Sequence, residues 1–211
     1  MKSGAHNRTT ERRPYRPLAR AASSEATHRR IVETFLGFAR QRWLDEITLE
    51  EIATASNVTV QTVIRHYSGK DGLIEAVAEL FAEEIPARRA GDSRSLDRSI
   101  TSLVSDYEVT GDVVIRFLAQ EDRYPVLRRI LAKGRRHHRD WVEALFARQL
   151  SSKTTARERQ VSALIAATDV YTWKLLRRDL GHTPETAAAV IHDLVQCLIR
   201  ETTESRRAHA I

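Results

Sequence analysis

The chain has 211 residues, of which 42% are hydrophobic and 29% charged, with eight glycines and five prolines. These proportions belong to a globular protein with a sizeable core, in one domain or two small ones, and exclude global disorder. No apolar run approaches the ~20 residues that span a bilayer. No charged start leads into an apolar leader, and the single Cys197 cannot form an internal disulfide, so a cytoplasmic protein is expected. Cys197 lies in the apolar run "VIHDLVQCLI" and reads as a buried structural thiol.

The net charge of +6 is unevenly placed. Residues 1–24 hold Lys2, Arg8, Arg12, Arg13, Arg16 and Arg20 against Glu11 alone, which is +5 and leaves about +1 for the rest. The first 24 residues, with two prolines and no periodic apolar face, read as a basic disordered arm. Such an arm either reaches phosphates and the minor groove or only keeps the chain soluble.

Strand-like alternation is scarce, so the chain is expected to be all-α. Ile31, Phe35 and Phe38, closed by Trp43 and Leu44, predict a first helix over 25–42. Thr48 followed by Glu51 is a capping box that opens a second helix ending at Ala55. Ser56, Asn57 and Val58 form a turn, with Asn57 suited to a left-handed backbone. Thr59 caps a third helix over 60–67, and the break "SGKDG" leads to a fourth over 70–85, stopped by Pro86. The segment "PARRAGDSRSLD" is the expected domain boundary. Beyond it, helices are predicted over 96–110, 112–121, 124–150, 155–180 and 184–204. In the last two, Leu164, Ile165, Thr168, Val170, Tyr171 and Leu175 make one apolar stripe, and Val190, Ile191, Leu194, Val195, Leu198 and Ile199 another. Stripes that wide fill a core or pack on a second copy of the chain.

Two short helices joined by a three-residue turn are a helix-turn-helix. Ile52 and Ala53 suit the crossing, Val58 fills the space under the turn, and Val63 and Tyr67 bind the third helix to the core. Val60, Gln61, Ile64 and Arg65 remain as an outward stripe at i, i+4 spacing. A helix of roughly 12 Å matches a major groove about 12 Å wide. Gln61 suits an adenine edge, Arg65 a guanine or a phosphate, and Val60 and Ile64 thymine methyls. Thr48, Thr59, Thr62, His66 and Lys70 are phosphate-binding types, and Tyr67 completes the set expected at DNA. No acidic residue occurs from Ile52 to Lys70, although 25–75 as a whole carries six basic and eight acidic residues. The unit is polarised rather than basic, as a surface lying on a polyanion requires.

This stretch, "TLEEIATASNVTVQTVIRHYSGKDGL", resembles the TetR family of bacterial transcriptional regulators. Thr48, Ile52, Ala53, Val58, Thr62, Val63, His66, Tyr67, Lys70 and Leu73 match the family pattern in register over about 27–80. Ser56-Asn57 replaces the usual Ala-Gly, Arg42 and Trp43 stand near where a Gly and an aromatic are usual, and Ile64 replaces a Tyr that commonly touches DNA. The resemblance implies a helix-turn-helix domain over 25–70, a connecting helix over 71–90, and a ligand-binding and dimerisation domain over 91–211. It also implies a homodimer through about 156–180 and 184–204, a palindromic operator, and a largely apolar small-molecule effector whose binding releases DNA. Tyr107, Phe117, His138 and Trp141 are candidates to line its pocket.

Other constellations are weak. His137 and His138 are adjacent and diverge by about 100° on a helix, so they cannot share one metal ion, and a solvated basic face is the alternative. Glu121 and Asp122 diverge in the same way and make no acid/base pair. With no phosphate loop, nucleophile elbow or Cys/His spacing, neither catalytic residues nor a cofactor or metal are expected. The expected function is a ligand-released repressor. The alternatives are an activator or ligand-independent DNA binder, and a helical small-molecule-binding protein or enzyme with no DNA role.

Overall fold

The structure, a computed structural model, describes residues 17–89 and 95–208, with side chains over 23–89 and 95–200. Among the described residues it is all-α. Of the basic arm, residues 1–16 lie outside this description, whereas α1 (Pro17–Ala39) begins inside the segment read as disordered. Ile31, Val32, Phe35, Leu36 and Ala39 form its buried stripe, each pair set by the helical i, i+4 spacing.

A single 3₁₀ turn, Leu44–Glu46, leads to α2 (Leu49–Ala55). The capping box forms as its sequence requires: Glu51 N–H donates to Thr48 Oγ1 at 3.2 Å and Thr48 N–H to Glu51 Oε2 at 2.9 Å. Asn57 adopts φ 51°, the left-handed value a short polar side chain tolerates. Then α3 (Val60–Tyr67) starts on the Thr59 cap and ends at Ser68, also left-handed. Helix α4 (Lys70–Arg88) follows almost at once. Its first turn presses on the end of α3: a Cβ on Gly72 would lie 1.9 Å from the Tyr67 carbonyl oxygen, so only glycine fits.

Pro86 does not stop α4, which runs two residues further. A proline in the last turn removes one hydrogen bond but leaves the following ones intact, as Arg89 N–H shows by donating to Ile85 at 2.8 Å. A second correction concerns Gly111. The two helices expected on either side of it are one, α5 (Leu96–Leu118). Gly111 is there because Trp173 lies against it, its ring 2.4 Å from where a Cβ would stand.

Helix α6 (Pro125–Leu145) starts with proline at its first position and stops five residues before the expected end at 150. The helix expected over 155–180 is divided. After α7 (Thr154–Thr168), Asp169 turns extended and caps α8 (Val170–Lys174) by accepting from Tyr171 N–H at 2.9 Å. A π turn, Leu175–Asp179, follows, and α9 (Pro184–Ala208) closes the chain. It is packed on α5 and α7.

The core does not divide where the chain does. Val113 and Phe117 of α5, with Val126, Leu127 and Leu131 of α6, bury into the same cluster as α1–α4. The other end of α5, through Ile100, Leu103, Val104 and Tyr107, belongs to a second cluster with α7, α8 and α9. Cys197 is exposed, against the buried thiol expected, because α9 turns Ile191 and Val195 inward and Leu194 and Cys197 outward. No described helix is long and apolar enough to cross a membrane.

Candidate functional site

Helix α3 is divided by its own periodicity. Val63 is fully buried and Tyr67 nearly so, while Gln61, Ile64 and Arg65 face solvent. Val60 is half-buried against the head core, so of the outward stripe it is the most withdrawn. Tyr67 is a correction to the DNA-facing set. Its hydroxyl donates to the His28 carbonyl at 2.8 Å, and burial pushes the phenol well above its ordinary pKa. Tyr67 therefore anchors α3 to α1.

The polar types around the stripe stand in three conditions. Thr48 and Thr59 are exposed caps, and the Thr62 hydroxyl lies 2.9 Å from that of Thr59. His66 is half-buried, edge-on to His28 with ring centroids 5.7 Å apart. Burial, and then Arg65 and His28, hold its pKa below the usual value. Lys70 is already engaged. Its ammonium donates to the Leu44 carbonyl, while Leu44 N–H donates to Gln120 Oε1 at 3.0 Å. The peptide groups of Leu44 are thus gripped from α4 on one side and from the end of α5 on the other. Burial lowers the Lys70 pKa, opposed by Asp45 and Glu51.

The acidic residues nearby are held away from the stripe by partners. Arg42 Nη1 bonds Glu51 Oε1 at 2.9 Å, and that bond with the Thr48 cap brings the Glu51 carboxyl down to about 2. Arg123 pairs with Asp45 at 2.8 Å. The exposed part of α3 thus keeps a neutral-to-cationic face.

In the body, Tyr107, His138 and Trp141 come together, but Phe117 does not: it is buried in the head-side cluster. His138 is not on a solvated basic face; His137 is. The His138 ring stacks on Trp141 at 5.6 Å, and its Nε2 lies 3.1 Å from Thr168 Oγ1. Tyr107 donates its hydroxyl to the Thr168 carbonyl at 3.1 Å. Above both rings lies Arg89, 5.2 Å from the Tyr107 centroid and 6.0 Å from that of Trp141.

Sequence reasoning missed Asp106, which is fully buried and clamped by Arg88 Nε at 2.8 Å and Arg89 Nε at 2.7 Å. The signal was present: a carboxylate between Leu103, Val104 and Tyr107 falls on the buried face and demands a cationic partner. Gln120 was missed for lack of any such signal. Among the described residues no group of three or more His, Cys, Asp and Glu gathers as a metal site.

Burial, and then Arg89, pull the His138 pKa down to about 4. The unfolded chain binds this proton at about 6.5 and the folded one does not, so folding should weaken as pH falls from about 6.5 towards 4, by up to about 3 kcal/mol. Melting midpoints of wild type and His138→Phe at pH 7 and 4.5 check this. The variant should lose less on acidification, since carboxylate contributions are common to both.

An outward-facing second helix of a helix-turn-helix, mounted on a helical body through a shared core, is the arrangement with which DNA-binding regulators enter a major groove. Residues 40–77 match the model of the tetR family of bacterial regulatory proteins. Over that segment the chain is similar to tetR-family regulatory proteins. No curated protein matches it. Its fold is similar to a tetR-family transcriptional regulator from Streptomyces coelicolor, at TM-score 0.67 and 14% identity, covering 85% of this chain and 89% of that one. A transcriptional regulator from Rhodococcus sp. Rha1 aligns at TM-score 0.65 and 18% identity, over 82% and 96%. NalD of Pseudomonas aeruginosa, the secondary repressor of the MexAB-OprM multidrug efflux pump, aligns at TM-score 0.60 and 21% identity, over 85% and 96%. At these identities the likeness is one of fold.

Proposed function

We propose that the protein is a homodimeric repressor that reads a palindromic operator with α3 and releases it on binding a small molecule in the helical body. The observation that carries the DNA reading is the split of α3. Val63 and Tyr67 lock its back, and Gln61, Ile64 and Arg65 stand free for base edges. The dimer reading rests on Tyr171, Leu175, Leu180 and Leu194, large apolar side chains left exposed along α8, the π turn and α9. The effector reading rests on the aromatic and polar cluster of Tyr107, His138 and Trp141, which touches the end of α4 through Arg89.

Selection of genomic fragments with the purified protein tests all three. Recovered sites should hold two inverted half-sites about one helical turn apart, since a two-fold dimer presents its recognition helices at that spacing. Lone half-sites would overturn the dimer. On the best fragment, Gln61→Ala and Arg65→Ala should each cost about 1–3 kcal/mol of affinity and relax preference at one position per half-site. Unchanged binding by both variants would overturn α3 as the reading element. A reporter carrying that fragment upstream should be silenced by the protein and relieved by the effector.

A further inference from the structure

The tautomer of His138 is fixed by its neighbour. The Thr168 hydroxyl has one hydrogen and points it at the Leu164 carbonyl, 2.8 Å away. At the 3.1 Å contact with His138 Nε2 the hydroxyl oxygen is therefore the acceptor, and Nε2 carries the proton. The buried imidazole is neutral at neutral pH, which leaves Nδ1 as a bare lone pair. That nitrogen is sealed from solvent and meets no donor among the described residues. The large majority of buried side-chain acceptors are paired, so this one is short of a donor.

The nearest cation does not supply it. Arg89 spends its Nε on Asp106 and lays its plane over Tyr107 and Trp141. The same carboxylate holds Arg88, whose Nη2 is also buried without an acceptor among the described residues. One contiguous cluster therefore contains an unspent acceptor, an unspent donor and the rings of Tyr107 and Trp141.

We infer that this cluster binds an uncharged planar molecule of the phenol class, whose hydroxyl or N–H donates to His138 Nδ1. The two guanidiniums oppose a cation, and a carboxylate or other anion without a hydrogen brings no donor to the bare Nδ1. Tyr107, Trp141 and the imidazole suit a flat ring. The inference rests on the effector-binding reading above and adds the chemistry of the ligand. It also gives that ligand a lever, because Arg88 and Arg89 are the last turn of α4 and its cap.

Phenol and toluene, nearly equal in shape, are the probes, titrated into the full-length protein and followed by ligand-observed NMR. Phenol should bind wild type at least about ten-fold more tightly than toluene, the scale of one buried hydrogen bond left unmade. His138→Phe should abolish the preference. His138→Asn, which sets an amide oxygen near the place of Nδ1, should restore part of it. Equal binding of the two probes, no phenol binding at millimolar concentration, or a preference kept in His138→Phe would overturn the inference. Should the variants not fold, ¹⁵N-histidine spectra of wild type decide: phenol should move the His138 Nδ1 resonance, and an unmoved resonance overturns the inference. A phenol preference that leaves operator binding untouched would keep the ligand class and remove only the effector reading.

Discussion

Asp106→Ala should lower the stability of the folded chain by about 3 kcal/mol, the low end of what removing one partner of a buried ion pair does. The carboxylate is fully buried, and its removal strands two guanidiniums that are only 23% and 14% exposed. Each keeps something, Arg88 its bond to Glu84 and Arg89 its aromatic faces, which is why the low end is expected. For a domain of this size the loss corresponds to a melting midpoint roughly 6–12 °C lower. Asp106→Asn retains the shape and one acceptor and should fall between. Replacing all three residues by apolar ones, Asp106→Leu with Arg88→Met and Arg89→Met, should recover most of the stability, since no charge is then left unpaired. A triple variant as unstable as Asp106→Ala would show that the clamp is not what Asp106 contributes.

Gly111→Val should be comparably damaging. Even the first added carbon would stand 2.4 Å from Cζ3 and 2.5 Å from Cη2 of Trp173. The indole cannot step aside: it is fully buried, its Nε1–H donates to Glu108 at 2.7 Å, and the Arg178 guanidinium lies 4.5 Å from its ring centroid. Overpacking of this kind costs about 1–3 kcal/mol, and a pinned ring puts the expectation at the upper end. Alanine would ordinarily gain about 1 kcal/mol over glycine inside a helix. At this position the clash wins, so Gly111→Ala should also destabilise. Gly134→Ala in α6, where nothing lies within 4 Å of the new carbon, should stabilise instead. Thermal unfolding of the three variants checks both signs. If Trp173→Leu fails to relieve Gly111→Ala, the contact is not the cause.

Much of the head was legible because its signals are local. The Thr48–Glu51 box, the Thr59 cap and the i, i+4 pairs of α3 each lie within a few residues, and the fold follows them. The body was less legible because its determinants are distant in sequence. Gly111 and a helix break look alike until Trp173 is beside it, 62 positions on. Asp169 was read through because the apolar stripe continues on either side, yet its capping bond to Tyr171 divides the helix. Of the pocket candidates, Tyr107, His138 and Trp141 meet, whereas Phe117, one turn or more past Gly111 on α5, is drawn into the other cluster. Spacing places residues on one face of a helix; it does not tell which neighbour that face meets at each end.

Because α5 is rooted in both apolar clusters, the molecule has no seam along which its first four helices could be lifted from the others. Severed after Arg89, the front portion would bare the surface that Val113, Phe117, Leu127 and Leu131 now cover, an invitation to clumping rather than to independent folding. A shift felt at one end of α5 must therefore be absorbed as repacking at the other. The rigidity of the whole is in that sense set by a single long rod that both interiors share.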